Sequence, residues 1–200
     1  VILLEAASHV LPAFAPPLPE KGRRQLERLG VDVRTDRLVT AIDAEGVAIG
    51  PERIEARTVL WAAGVAASPL ARTLGVDLDR AGRVRVERDL TVPGHPEVAV
   101  IGDLAHFDHD GALVPGVAPA AIQEAQHAAR NVLRSLSGQP RLPFRYRDKG
   151  SLATIGRAAG IAQIGRFRLS GLVAWLAWLF IHILFLIGFR NRVFVVLSWA

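Results

Sequence analysis

The segment that most restricts this chain is residues 169–189, LSGLVAWLAWLFIHILFLIGF, an uncharged apolar run closed by Arg190-Asn191-Arg192. As one helix it would be long enough to cross a bilayer. Its aromatic residues argue against a span. Trp175, Trp178, His182, Phe185 and Phe189 recur at three- and four-residue spacing, a continuous stripe on one helical face. Trp prefers the membrane interface, and His182 would sit near mid-bilayer in a spanning helix. The favoured arrangement is a helix lying in or against a membrane, or packed beneath the domain before it. His182 reads more readily as a structural hydrogen-bonding group than as a catalytic one. Between positions 141 and 168, Arg141, Arg145, Arg147, Lys149, Arg157, Arg166 and Arg168 face a single acid, Asp148. A basic stretch beside an apolar run suits anionic lipid head groups, with a solvated face as the plainer alternative. No stacking aromatics alternate with these arginines, which argues against nucleic acid.

Half of the 200 residues are hydrophobic, enough for one large domain or two small ones. Cysteine is absent, so this sequence holds no disulfide scaffold, thiolate metal site, cysteine nucleophile or dithiol redox pair. The chain also lacks methionine, opens inside the apolar run VILLE and closes on VFVVLSWA. It therefore reads as an internal piece of a longer protein.

Before the tail, strand-like and helix-like segments alternate. Residues 1–5 suit a buried parallel strand ending in Glu5, and a proline-rich loop follows. The pattern predicts a helix over 20–29, with Leu26 and Leu29 on one face and Gly30 at its C-cap. Strands are expected at 31–34, 37–42, as a pair within 49–59, and at 84–87 and 98–101. Residues 59–61 end at the small-residue turn Ala62-Ala63-Gly64. The strongest helix runs over 117–136 and stops at Ser137-Gly138. The alternation argues for an α/β fold with parallel sheet, and the boundary to the basic segment falls near 138–143.

Three places carry chemistry. In a dinucleotide-binding βαβ unit an acid ending the second strand hydrogen-bonds the ribose, so Glu5 is a candidate ligand, or else an ordinary loop acid. Ala6, Ala7 and Ser8 follow it with no arginine for a 2′-phosphate, favouring NADH over NADPH. VAVIGD turns at Gly102 and presents Asp103 at the carboxyl edge of a sheet, where a carboxylate accepts hydrogen bonds from a ribityl chain or caps the next segment. Pro115 and Gly116 delay the next helix, whose first-turn N–H groups favour an electron-rich partner such as a flavin ring. Ala118, Ala120 and Ala121 permit close approach of a planar ring, and Gln123 and Gln126 suit a ring edge or quinone oxygen. An ordinary buried helix start remains the alternative.

Together, VLPAF after Glu5, VLWAAGVAAS, VAVIGDLA, PGVAPAAIQEAQHAARN, YRDKGSLATIGRAAGIAQIG and the GFRNR-containing tail resemble the C-terminal half of a type II NADH dehydrogenase. This is the single-subunit, non-proton-pumping NADH:quinone oxidoreductase of the pyridine nucleotide-disulfide oxidoreductase-like superfamily. The resemblance implies two Rossmann-like dinucleotide-binding domains, partial here, plus a helical membrane-associating C-terminal segment. It assigns residues 1–60 to the NADH domain, 61–140 to the return into the FAD domain, and 141–200 to the membrane-associating region. FAD and NADH are the implied cofactors, and Glu5, Ala63, Gly64, Gly102, Asp103, Ala118, Ala120 and Ala121 their implied contacts. Gln123 and Lys149 are the implied catalytic positions, Lys149 falling on a Lys-Gly pair near the flavin. Gln126, Trp175, Trp178, His182, Arg190 and Arg192 are assigned to the quinone and membrane side. Many relatives read Ala-Gln-x-Ala-x-Gln where this chain has Pro119 for the first Gln, so that role does not carry over. The partners implied are a quinone and anionic lipids at the cytoplasmic face of the cell membrane, with a homodimer left open. A flavoprotein reductase with another acceptor, or a non-catalytic membrane-anchoring relative, are the alternatives.

Overall fold

Ile2, Leu3 and Leu4 pair in parallel with Asp32, Val33 and Arg34, and an amphipathic helix crosses between them. The computed structural model describes residues 1–186 and 189–199. Its first part holds β1 (Ile2–Leu4), α1 (Leu18–Arg28), β2 (Asp32–Arg34), β3 (Ala41–Asp43), β4 (Gly46–Ile49) and β5 (Glu52–Glu55). Then come β6 (Val84–Arg85), β7 (Thr91–Val92), β8 (His95–Ala99), β9 (Ala105–His106), β10 (Asp108–His109), β11 (Ala112–Leu113) and α2 (Ala118–Leu136). The last part holds β12 (Ser151–Gly156), β13 (Ala159–Ile164), β14 (Phe167–Ser170), α3 (Leu172–Phe185) and α4 (Phe189–Trp199). The chain divides into two compact units, Val1–Trp61 with Lys149–Ala200, and Ala62–Asp148.

In the first unit α1 starts after Pro17, with Pro19 in the first turn where a missing N–H costs little. Glu20 near its start and Arg28 near its end suit the helix dipole. The face it buries is Leu18, Gly22 and Gln25, whereas Leu26 and Leu29 were the expected pair; Leu29 is 57% exposed. Gly22 explains the shift. A Cβ there would lie 2.6 Å from Leu11 Cδ1 and 3.4 Å from Ile155 Cδ1, so the helix seats on its glycine side. Leu29 is the C-cap itself, and Gly30, at φ +81°, is the residue after it.

Strands β12, β13 and β14 form an antiparallel sheet with a helix on each face. Ile161, fully buried, packs with Phe14 and Leu18 on the α1 side. Gly160, one residue back, meets α3: a Cβ on it would lie 3.4 Å from the Trp175 backbone nitrogen. The two-residue period of the strand thus separates the two helices.

The second unit has one parallel pair, β6 with β9, and two hairpins, β7–β8 and β10–β11. Its cores gather Ala71, Val84, Val92, Val100 and Ala105, and separately Leu90, Phe107, Val114, Ala120 and Phe144.

The α/β class holds, while the described strands form separate two- and three-stranded sheets rather than one parallel sheet. Among the described residues only β1–β2 and β6–β9 pair in parallel. The other strands are joined by connections too short for a crossover and therefore pair antiparallel. The strand expected over 37–42 starts only at Ala41, because Asp36, left-handed at φ 55°, turns the chain first. Residues 59–61 form no strand and leave Leu60 and Trp61 exposed. The strand expected at 98–101 lies earlier, at His95–Ala99.

The apolar run is likewise not one helix. Leu169 and Ser170 still belong to β14, Gly171 at φ +70° opens α3, and α3 stops at Phe185. Among the described residues no helix is long and apolar enough to cross a membrane. Ile187, Gly188, Ala200 and the side chain of Phe189 lie outside what is described, so the aromatic stripe is followed only to Phe185.

Candidate functional site

In the second unit Val100 donates its N–H to the Leu90 carbonyl, and Gly102 at φ +67° then turns the chain into a short 3-10 turn. Asp103 stands in that turn. Helix α2 begins after Val117 with no side chain capping its first N–H groups, and such a helix start attracts negative charge. Small residues let the two meet. A Cβ on Gly116 would lie 3.1 Å from Asp103 Oδ1, and one on Gly102 would lie 3.6 Å from Ala121 Cβ. Between them opens a cleft of about 230 Å³, lined among others by Arg83, Gly102, Asp103, Gly116, Ala120, Ala121 and Glu124.

Glu124 is 3% exposed and accepts the Gly102 N–H through Oε2 at 2.5 Å. Burial pushes its pKa up, the Gly102 N–H offsets part of that, and the neighbouring Asp103 charge adds to the rise. Arg83, also in the lining, donates its Nε–H to Asp79 Oδ2 at 2.7 Å. Burial alone would raise the Asp79 pKa. The hydrogen bond with His106 at 2.7 Å and those donated by Arg83 and Ala81 hold it well below the carboxylate range.

The pyridine nucleotide-disulphide oxidoreductase family model matches residues 1–129, well over half of the chain. The chain belongs to this family. The C-terminal domain model of the NDH2 proteins matches residues 149–200. The type II NADH:quinone oxidoreductases NdhA and Ndh of Mycobacterium tuberculosis are 46% and 43% identical to it over 100% of this chain and 45% of each relative. The demethylphylloquinone reductase NdbB of Synechocystis is 31% identical over 90% of this chain and 47% of that protein. The solved NDH2 of Plasmodium falciparum in complex with NADH covers 99% of this chain and 57% of its own, with a TM-score of 0.84. At 16% identity it is a likeness of fold. The resemblance drawn from the motifs therefore holds, and the chain spans about half the length of the curated relatives it matches.

Of the expected contacts in this oxidoreductase chain, Gly102, Asp103, Ala120 and Ala121 share the cleft. Ala118 opens α2, while Val117 is the lining residue there. Ala63 and Gly64 are exposed, and it is Val65 and Ala67 beyond them that line the cleft. Gln123 is held by backbone: its amide nitrogen donates to the carbonyls of Pro119 and Arg147, and its oxygen accepts from Arg147 N–H. Gln126 is exposed.

In the other unit Glu5 directly follows β1, and its carboxylate accepts the Ala7 N–H at 2.8 Å. Lys149 is exposed at that unit's edge. On α3, Trp178 and His182 stack at 4.1 Å, His182 Nδ1 bonds the Trp178 carbonyl, and Trp175 is half-buried against the sheet. Arg190 is exposed, while Arg192 turns back to donate to the carbonyls of Leu184 and Leu186, closing the end of α3.

Arg83, Asp79, His106 and Glu124 escaped the sequence reading. Glu124 was within reach of it, since it follows Ala120 by four residues on one face of α2. Asp79 and His106 are 27 positions apart and share no motif.

Proposed function

We propose that the whole protein is a membrane-associated type II NADH:quinone oxidoreductase using FAD, and that this chain carries its flavin cleft and C-terminal region. The observation that carries the reading is the Asp103–α2 cleft in a chain whose residues 149–200 match the NDH2 C-terminal domain. The donor set suits the cofactor. One carboxylate accepts from ribityl hydroxyls, an uncapped helix start and a guanidinium favour anionic oxygens, and glycine and alanine walls admit a flat ring. Bound FAD would supply the two-electron chemistry between NADH and quinone.

The chain's own residues bind and orient. Asp103 would hold the ribityl chain, and Glu124 fixes Asp103's turn through the Gly102 N–H. The α2 start would lend partial positive charge to a bound ring. Pro119 has no N–H, so the first turn offers one donor fewer than it would with glutamine there. Gln123 locks the Arg147 backbone onto α2 and acts as a positioning residue at the ring's margin. Lys149 near the flavin, Glu5 on the NADH ribose, and Gln126 toward the quinone rest on the family resemblance.

Residues 1–60 then belong to the NADH domain, 61–140 to the FAD domain, and 141–200 to the membrane-facing region. Leu172, Val173, Leu176, Phe180 and Leu184 form an exposed apolar row on α3, a suitable contact for lipid on the cytoplasmic face. Arginines of the 141–168 stretch would meet anionic head groups, and a homodimer is compatible with this arrangement.

The test is NADH oxidation by the full-length protein with a soluble quinone analogue, with NADPH alongside. Rapid flavin-dependent turnover with NADH and little with NADPH is expected. Bleaching of the flavin by NADH without quinone turnover would move the acceptor elsewhere, and no response to NADH would end the reading.

A further inference from the structure

We propose that Arg83 is an anion-binding residue of the cofactor cleft, held in its working orientation by the Asp79–His106 pair. The inference rests on the reading of that cleft as the flavin site. The cleft presents two carboxyl groups, Asp103 and Glu124, and among its described lining residues Arg83 is the only cation. A dinucleotide brings a charged diphosphate and, once reduced, an anionic ring. Two carboxyls without a cation would repel both. Burial makes the Glu124 charge the costlier of the two and pushes its pKa up. Arg83 opposes the charge of both carboxyls.

Arg83 is also unusually well anchored. Its bond to Asp79 uses Nε, the nitrogen nearest the stem, which leaves the two outer nitrogens of this cleft-lining residue available to a ligand. The Asp79 side chain is 5% exposed and cannot swing away. Its Oδ1 accepts the N–H groups of Ala81 at 2.8 Å and Arg83 at 2.9 Å, and its Oδ2 meets His106 Nδ1 at 2.7 Å. His106 lies on β9 directly after Ala105, a cleft-lining residue, and β9 runs in parallel register with β6 just beyond Arg83. Around the far nitrogen of His106 stand Asp108 and Arg85, each at 3.3 Å. A solvent-exposed ion pair would spend entropy for little gain. Here a buried carboxylate fixes the Nε edge of the guanidinium of a cleft-lining arginine, an arrangement that binds an anion without first ordering the side chain.

The experiment uses the purified full-length protein. It measures FAD affinity of the stripped protein, flavin midpoint potential and thermal midpoint for wild type, Arg83→Met, Arg83→Lys and His106→Gln. If the anion is the diphosphate, Arg83→Met weakens oxidised FAD about tenfold, the scale of one charge-assisted contact, and leaves the potential unchanged. If it is the reduced ring, oxidised affinity stays and the potential falls. Arg83→Lys restores part of either effect by keeping the charge. His106→Gln, which touches Asp79 and not the cleft, shifts the same readout in the same direction by roughly two- to threefold, and less when added to Arg83→Met. Should Arg83→Met fail to fold, Arg83→Lys and His106→Gln decide by the same readouts. Folded Arg83 variants with wild-type affinity and potential overturn the assignment alone. A wild-type protein that binds no FAD overturns the functional reading and the assignment with it.

Discussion

Glycines admit close neighbours both at Gly160 on β13 and at Gly102 and Gly116 beside α2, and the two places end differently. At Gly160 the space is filled: α3 lies on the strand, Ala162 is fully buried beside it, and a Cβ would press on Ala153 O at 3.1 Å. At Gly102 and Gly116 the space stays open, edged by Asp103, Glu124 and Arg83. Apolar neighbours close a small-residue gap, because burial stabilises them there. Carboxyl and guanidinium groups hold one open, because each must keep a partner or water. The side chains around the glycines, rather than the glycines, separate packing from binding.

Substitutions can break or sharpen that contrast. Gly160→Val should have the largest effect, lowering stability by about 2 kcal/mol in denaturant unfolding, as overpacking against a fixed backbone does. Unchanged stability would mean that the α3 contact is loose. Gly116→Ala should leave the unfolding midpoint nearly alone and weaken FAD about tenfold, about 1.4 kcal/mol, by displacing Asp103 Oδ1. A stability loss with normal FAD affinity would make this gap another packing site. Arg192→Ala removes donors from the Leu184 and Leu186 carbonyls and should cost about 1 kcal/mol, read as faster amide exchange in the last turn of α3.

The smallest effect should be one of pH. Glu124's folded pKa is raised above its ordinary 4.5, so its contribution to stability is greatest below that value. It then declines as pH climbs through the raised folded pKa. Glu124→Gln keeps an oxygen for the Gly102 N–H and should flatten that part of the stability–pH profile. Asp79 works in the opposite sense. Its lowered pKa gives stability above its ordinary 3.8 that is lost as pH falls.

Helix α2 was legible almost to the residue, since its alanines, its Pro-Gly start and its Ser-Gly end are all local signals. Asp103 and its glycine turn were legible for the same reason. The buried face of α1 was not, because Gly22 acquires meaning only when Leu11, Ile155 and Ile161 arrive from distant positions. Arg83 looked like any arginine after a glycine, and His106, which shares its partner Asp79, lies 23 positions further on in β9. The apolar run misled through its length: hydropathy runs unbroken past Gly171, while backbone geometry at that glycine ends a strand and starts a helix.

Ala15 N–H bonds Gln163 Oε1 across 148 positions of sequence, beside the seat of Leu18 against Ile161. On a ribosome this half of the molecule must wait. Helix α1 emerges before β12 and β13, so its buried face lacks Ile155 and Ile161 until the whole of Ala62–Asp148 has gone by. A nascent chain stalled between the two would carry that apolar helix face bare, a natural handle for chaperones and the first point of attack for proteases.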